Sequence, residues 1–120
     1  MSQTQNNKRY DLEDRTLQFG INIIRFIKLL SQNGVNFKLI DQLIRSATSI
    51  GANYREANET ETKRDFLYRC RICRKETKET IYWLELIKEA NPDLSKQIDV
   101  LMQEATEFVK IFASIIEKSR

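Results

Sequence analysis

The 120-residue chain contains no histidine. That removes the commonest general base and the imidazole ligand of most zinc sites, which excludes Ser-His and Cys-His catalysis and His-rich metal centres. Only three glycines and one proline occur. Sandwiches, barrels and doubly wound sheets turn often and use many of both, so their scarcity favours long uninterrupted helices. The two cysteines, Cys70 and Cys73, lie three residues apart within a helical pattern, where they share a face and cannot staple a loop. A thioredoxin-like CxxC follows a strand, and zinc would need two further ligands, so this pair reads as buried core thiols. No stretch approaches the roughly 18 apolar residues of a membrane span, and residues 1–10 lack the apolar h-region of a signal peptide. The expected location is cytoplasmic.

What the chain does have is a repeated helical rhythm. Residues 1–10 form a polar, flexible lead, and one domain is expected over residues 11–117. From Leu12, the residues Thr16, Phe19, Ile23, Phe26 and Leu30 follow at alternating steps of four and three, which keeps them on one stripe. Asp11 is placed to cap this first helix and Asn33-Gly34 to end it with a left-handed residue. A second helix over residues 38–57 buries Ile40, Leu43, Ala47, Ile50, Tyr54 and Ala57. Its run Ser46-Ala47-Thr48-Ser49-Ile50-Gly51-Ala52-Asn53 is small on nearly every side, which costs helix propensity but admits another backbone closely. Thr62 and Asp65 have capping-box spacing, and Phe66, Cys70, Cys73, Thr77, Thr80, Leu84 and Ile87 carry a third helix to Asn91-Pro92. Leu94, Ile98, Leu101, Ala105, Phe108, Phe112 and Ile115 carry a fourth, ending near Glu117.

Short links cannot span such helices, so the directions must alternate: an all-α, up-down-up-down antiparallel four-helix bundle. Further apolar residues lie off these stripes, namely Leu17, Ile21, Ile24, Ile72, Tyr82, Trp83, Leu86, Val109 and Ile116. They predict a second buried surface, and hence self-association, against the plainer account of broad stripes with scattered surface apolars.

The formal charge of +3 permits an anionic partner without demanding one. Its distribution is more telling. Residues 63–78 hold seven basic side chains against two acidic ones. Lys63, Arg64, Arg71, Arg74, Lys75 and Lys78 fall within about one third of the helix circumference, and only Arg69 points elsewhere. This stripe, ~22 Å long, could track a nucleic-acid backbone. The competing reading is a solvated face neutralised by the acid-rich residues 79–117 of helices three and four. No RNP-type aromatic motif, helix-turn-helix spacing or zinc finger is present, so sequence-specific base reading is not indicated. Glu76 and Glu79 pair on helix three, but without a second such motif or any His they do not form a di-iron site, and no metal or cofactor is expected. On helix two, Arg45, Ser49, Ala52 and Glu56 form a narrow strip with Ser46 and Asn53 beside it. These six are the expected oligomer interface, where Arg45 and Glu56 would fix register more than add stability.

The stretch Gln42-Leu43-Ile44-Arg45-Ser46-Ala47-Thr48-Ser49-Ile50-Gly51-Ala52-Asn53-Tyr54-Arg55-Glu56-Ala57, with Asp65-Phe66 and Lys75-Glu76-Thr77-Lys78-Glu79-Thr80-Ile81-Tyr82-Trp83-Leu84-Glu85-Leu86, resembles a bacterial four-helix-bundle family. That family includes proteins encoded in intervening sequences of large-subunit ribosomal RNA genes. More distantly, the chain is similar to the accessory variability determinant of diversity-generating retroelements. The likeness covers about residues 11–116. Its helix-two signature maps onto Arg45, Ser46, Ser49, Ile50, Asn53 and Glu56, and its helix-three start onto Thr62, Asp65 and Phe66. Where many relatives carry a Gly after the helix-two Glu, this chain has Ala57-Asn58. The resemblance implies a homopentameric ring and, for the retroelement branch, a basic surface that binds RNA or DNA and a reverse transcriptase. It implies no enzymatic activity. Two functions follow as expectations: a non-enzymatic, pentameric nucleic-acid-binding accessory protein that uses the helix-three stripe, or a protein-interaction scaffold without nucleic-acid affinity.

Overall fold

In the computed structural model the backbone is described for residues 2–119 and the side chains for residues 11–119. Helices α1 (Ser2–Ile27), α2 (Gly34–Glu59), α3 (Lys63–Ala90) and α4 (Ser95–Lys118) are joined by short links, the last a 3₁₀ turn at Pro92–Leu94, and no strand occurs among the described residues. Each helix packs on its sequence neighbours, and α1 closes on α4, giving a bundle of 48 × 24 × 20 Å. The contact between α2 and α3 is the most extensive and that between α1 and α4 the slightest.

The termini show where local chemistry competes. Thr62 caps α3 as its spacing predicts, accepting a hydrogen bond from the Asp65 amide at 3.1 Å. Asp11, expected as a cap, instead lies inside α1, whose backbone is helical from Ser2. Residues 2–10, expected as a flexible lead, have helical backbone as the start of α1, and their side chains lie outside the described residues. Asn33 does not end the first helix either. That helix stops at Ile27 with tight turns onto the Phe26 and Ile27 carbonyls, and Asn33 is extended, its carboxamide accepting from the Asn36 amide at 2.9 Å. An Asn able to bond an orphan amide is a better N-cap than a left-handed terminator, so α2 starts at Gly34, ahead of the expected residue 38. No described residue has a positive φ.

The stripes form the core. Phe19, Phe108 and Phe112 are fully buried, with Phe19 edge-on to Phe108 at 5.5 Å and Tyr54 tilted against Phe112 at 5.9 Å. Such aromatic pairs add to the burial energy of each ring. Ile116 is a correction: expected off the stripe, it is buried with Ala57 and Cys70 in a small second cluster. A strict four-three repeat drifts by about 20° per heptad on a straight helix, so by the last turn of α4 the inward position has moved from Ile115 to Ile116. The buried threonines stay satisfied on their own helix, Thr16 donating to the Leu12 carbonyl at 2.9 Å and Thr77 to that of Cys73 at 2.7 Å. The small run on α2 does admit a close neighbour. A Cβ on Gly51 would stand 3.1 Å from Thr16 Oγ1 of α1.

Two polar devices close the seams. Arg15 of α1 reaches α4, bonding Glu104 at 2.8 Å and Glu107 at 3.3 Å, with its guanidinium 5.2 Å from the centre of the Phe108 ring. At the end of the bundle where α2 starts, Asn36 and Asn91 exchange amide hydrogen bonds at 3.0 and 2.8 Å, while Asn36 also donates to the Ser31 carbonyl and Asn91 to that of Ile87. Both residues are buried. The pair ties the α2 start to the α3 end.

Candidate nucleic-acid interface

Because α3 buries Cys70, Cys73, Thr77, Thr80, Leu84 and Ile87 along one side, the residues rotated away from that side face outward. Lys63, Arg64, Arg71, Lys75 and Lys78 are exposed and Arg74 is half-buried. None of the six closes an ion pair among the described residues. Lys75 alone adds to the field felt by Glu76 and Glu79. Of the α4 acids that were expected to neutralise the stripe, three are engaged elsewhere: Glu104 and Glu107 hold Arg15, and Asp99 holds Lys88 at 2.7 Å. Arg69 points away as its angle requires and donates to Asn53 Oδ1 of α2 at 3.0 Å.

The six residues expected at an oligomer interface are dispersed by the α2–α3 seam. Ser46 is fully buried within the chain, its hydroxyl meeting that of Thr80 at 2.9 Å, so it offers nothing to a second copy. It lies one step from Ala47 on the side of α2 that α3 covers, which the sequence strip placed outward. Asn53 is half-buried on Arg69, and Arg45 bonds Glu76 at 3.3 Å and Glu79 at 2.7 Å of its own chain. Ser49 is half-buried with its hydroxyl on the Arg45 carbonyl, while Ala52 and Glu56 are exposed. Thus Arg45, expected as a register device between subunits, bridges α2 to α3 of its own chain from an exposed position.

The Arg45 cluster is the most perturbed acid pair in the molecule. Burial, and then the hydrogen bond and charge of Glu79, push the Glu76 carboxyl above the usual carboxylate range against the pull of Arg45. The hydrogen bond from Arg45 holds Glu79 below it. A group whose folded pKa is raised stabilises the fold only while protonated and loses that contribution as pH rises; a lowered one loses it as pH falls. Glu76→Gln, which mimics the protonated form, should therefore raise the melting midpoint by a few degrees at about pH 8, with the gain fading toward about pH 4. A thermal melt series in which the variant is no more stable at the higher pH would show that ionised Glu76 is not a cost.

Burial pushes the Cys70 thiol up to about 11 and the Cys73 thiol up to about 12, so both stay protonated and unreactive. Cys73 donates to the Ile50 carbonyl at 3.5 Å. No cluster of three metal-ligating side chains is found among the described residues, and no helix there is long and apolar enough to cross a membrane. Sequence reasoning missed the Asn36–Asn91 latch, which no periodicity announces. It also missed Tyr68, which could have been found from its angle beside the basic stripe.

Fold and surface together define an all-α four-helix bundle whose distinguishing feature is a basic face on α3 that closes no ion pair among the described residues. The chain belongs to the 23S rRNA-intervening sequence protein family, whose model matches residues 8–114. It is also similar to a crystal structure from Bacteroides thetaiotaomicron VPI-5482, a protein of unknown function from the S23 ribosomal protein family. The two are 36% identical with a TM-score of 0.76, over 87% of this chain and 96% of that one. No curated protein matches the chain.

Proposed function

We propose that this protein is a non-enzymatic accessory protein that binds nucleic acid through the outer face of α3, without sequence specificity. The supporting observation is that six basic side chains share that face with no carboxylate closed upon them among the described residues, while Asp99, Glu104 and Glu107 of α4 are committed to Lys88 and Arg15. An uncompensated cationic row is a cost to the isolated fold and a gain only when polyanion charge and released counterions meet it. Exposed apolar side chains on α1, among them Leu17 and Ile24, favour a homo-oligomer, with the pentamer of the family resemblance as the proposed state. Several copies of the stripe would raise a weak single site by avidity. A reverse transcriptase is the protein partner this reading would pair with the nucleic acid.

The test is fluorescence anisotropy of a labelled structured RNA and a matched DNA at about 50 and 200 mM salt. Binding should weaken by two decades or more between them, since about six phosphate contacts give a log-log slope near −4 or steeper. Absence of binding at the lower salt would replace this reading with the protein-interaction scaffold, to which the exposed Phe37, Leu29 and Val35 at one end of the bundle would then point.

A further inference from the structure

The outer face of α3 is not purely basic. Tyr68 and Tyr82 are 60% and 55% exposed, against the usual tendency of such rings to be mostly covered. At about 100° per residue, Tyr82 falls inside the sector of the basic stripe and Tyr68 about 20° beyond its edge. Along the helix the exposed order is Arg64, Tyr68, Arg71, Lys75, Lys78, Tyr82, so an aromatic ring stands near each end of a run of cations. Neither ring is loose. The Arg69 guanidinium lies 5.9 Å from the centre of Tyr68, and Arg69 is itself anchored on Asn53. Tyr82 sits against the indole of Trp83 at 5.1 Å with an interplanar angle of 72°. The two tyrosines are about 21 Å apart along the axis, so they cannot sandwich one base and must serve separate bases of one strand.

We propose that the nucleic acid this face takes is single-stranded, its phosphates along the six-residue basic stripe, Arg71, Lys75 and Lys78 among them, and two of its bases stacked on Tyr68 and Tyr82. This rests on the reading of α3 as a nucleic-acid surface and adds the class of strand. A duplex turns its bases inward, where rings on the convex side of a helix cannot reach their π-faces, whereas every base of a single strand has a face to offer. Base-tolerant stacking beside a cationic track needs no base-edge reading, in keeping with the absence of any sequence-reading motif. RNA and DNA single strands share this chemistry, and the experiment carries both.

The full chain and its Tyr68→Ala/Tyr82→Ala double variant are titrated by anisotropy against labelled oligo(U), oligo(dT) and a duplex of equal phosphate number. The double Tyr→Phe variant, which keeps the π-faces, serves as the control. Loss of about tenfold per ring is expected for both single strands, with duplex affinity held within about twofold and binding restored by Phe. Both positions are exposed, so a melting curve should show the variants folded. Single-strand affinity unchanged by Ala, or lost equally for the duplex, overturns the stacking while salt-dependent binding leaves the basic face standing. Absence of salt-dependent binding to all three probes overturns the nucleic-acid surface itself, and the stacking with it.

Discussion

Asn91→Asp is expected to cost the bundle about 3 kcal/mol at neutral pH and to recover most of that in acid. The substitution changes no volume, so cavity effects do not enter. In the wild-type protein Asn91 Nδ2 donates to Asn36 Oδ1 at 2.8 Å and to the Ile87 carbonyl at 3.0 Å, while its Oδ1 accepts from Asn36 at 3.0 Å. An aspartate keeps the acceptor and loses both donors. Its second oxygen then faces the Asn36 and Ile87 oxygens in a buried site. Each orphaned polar group costs about 1–3 kcal/mol, and a buried unpaired charge more. Protonation restores one donor, so the folded state raises the aspartate's pKa above its unfolded value near 3.9. A raised pKa means that stability is fullest below the unfolded value and is lost as pH rises through the folded one. Urea unfolding at about pH 3.5 and pH 7 checks the sign. A variant as stable as wild type at pH 7, or one destabilised equally at both, would show that the amide exchange does not hold the α2–α3 end together. The Tm at neutral pH should fall by roughly 10 °C or more.

That latch also marks the limit of what the sequence reveals. The core was legible because its signal is periodic: Phe19, Ile23, Leu43, Ile50, Leu84, Ile98, Phe108 and Phe112 all fall on the four-three stripes and are all buried. Helix ends set by one strong local bond were legible where only one outcome was available, as at Thr62 and Asn91-Pro92. Asn33-Gly34 suits both a stop and a start, and only the Asn36 amide within reach of its side chain decides between them. Polar residues on helix flanks were the least legible. Arg45, Ser46 and Asn53 look the same in sequence whether they meet another subunit or the next helix of the same chain, and the rotation of α2 against α3 buries Ser46 on Thr80 while bringing Asn53 to Arg69 and the exposed Arg45 to Glu76 and Glu79 at the edge of the seam. The basic stripe was legible as an angle, but that none of its members closes an ion pair among the described residues was not, because that depends in part on where Arg15 and Lys88 draw Asp99, Glu104 and Glu107 of α4.

The stripe itself yields a prediction whose sign separates function from architecture. Neutralising it with Arg71→Gln, Arg74→Gln and Lys78→Gln should lower nucleic-acid affinity by two to three decades at about 50 mM salt. Each phosphate contact to a single strand contributes about −0.7 to the log-log salt slope, so a single chain with six contacts loses about 300-fold between 50 and 200 mM. With three contacts left, the loss falls to about 20-fold. A ring of copies would multiply both figures. Glutamine preserves helix propensity and much of each stem, so packing is nearly untouched even at the half-buried Arg74. Stability should move the other way. With no carboxylate closed on these side chains among the described residues, their mutual repulsion is uncompensated there, and removing three charges should leave the melting midpoint unchanged or slightly higher, most visibly at low salt. A structural stripe predicts the reverse pattern, a lower midpoint with binding intact. A triple variant that melts earlier and binds as tightly as the wild type would therefore remove the α3 face from the binding mechanism and make it part of the fold or of a subunit contact.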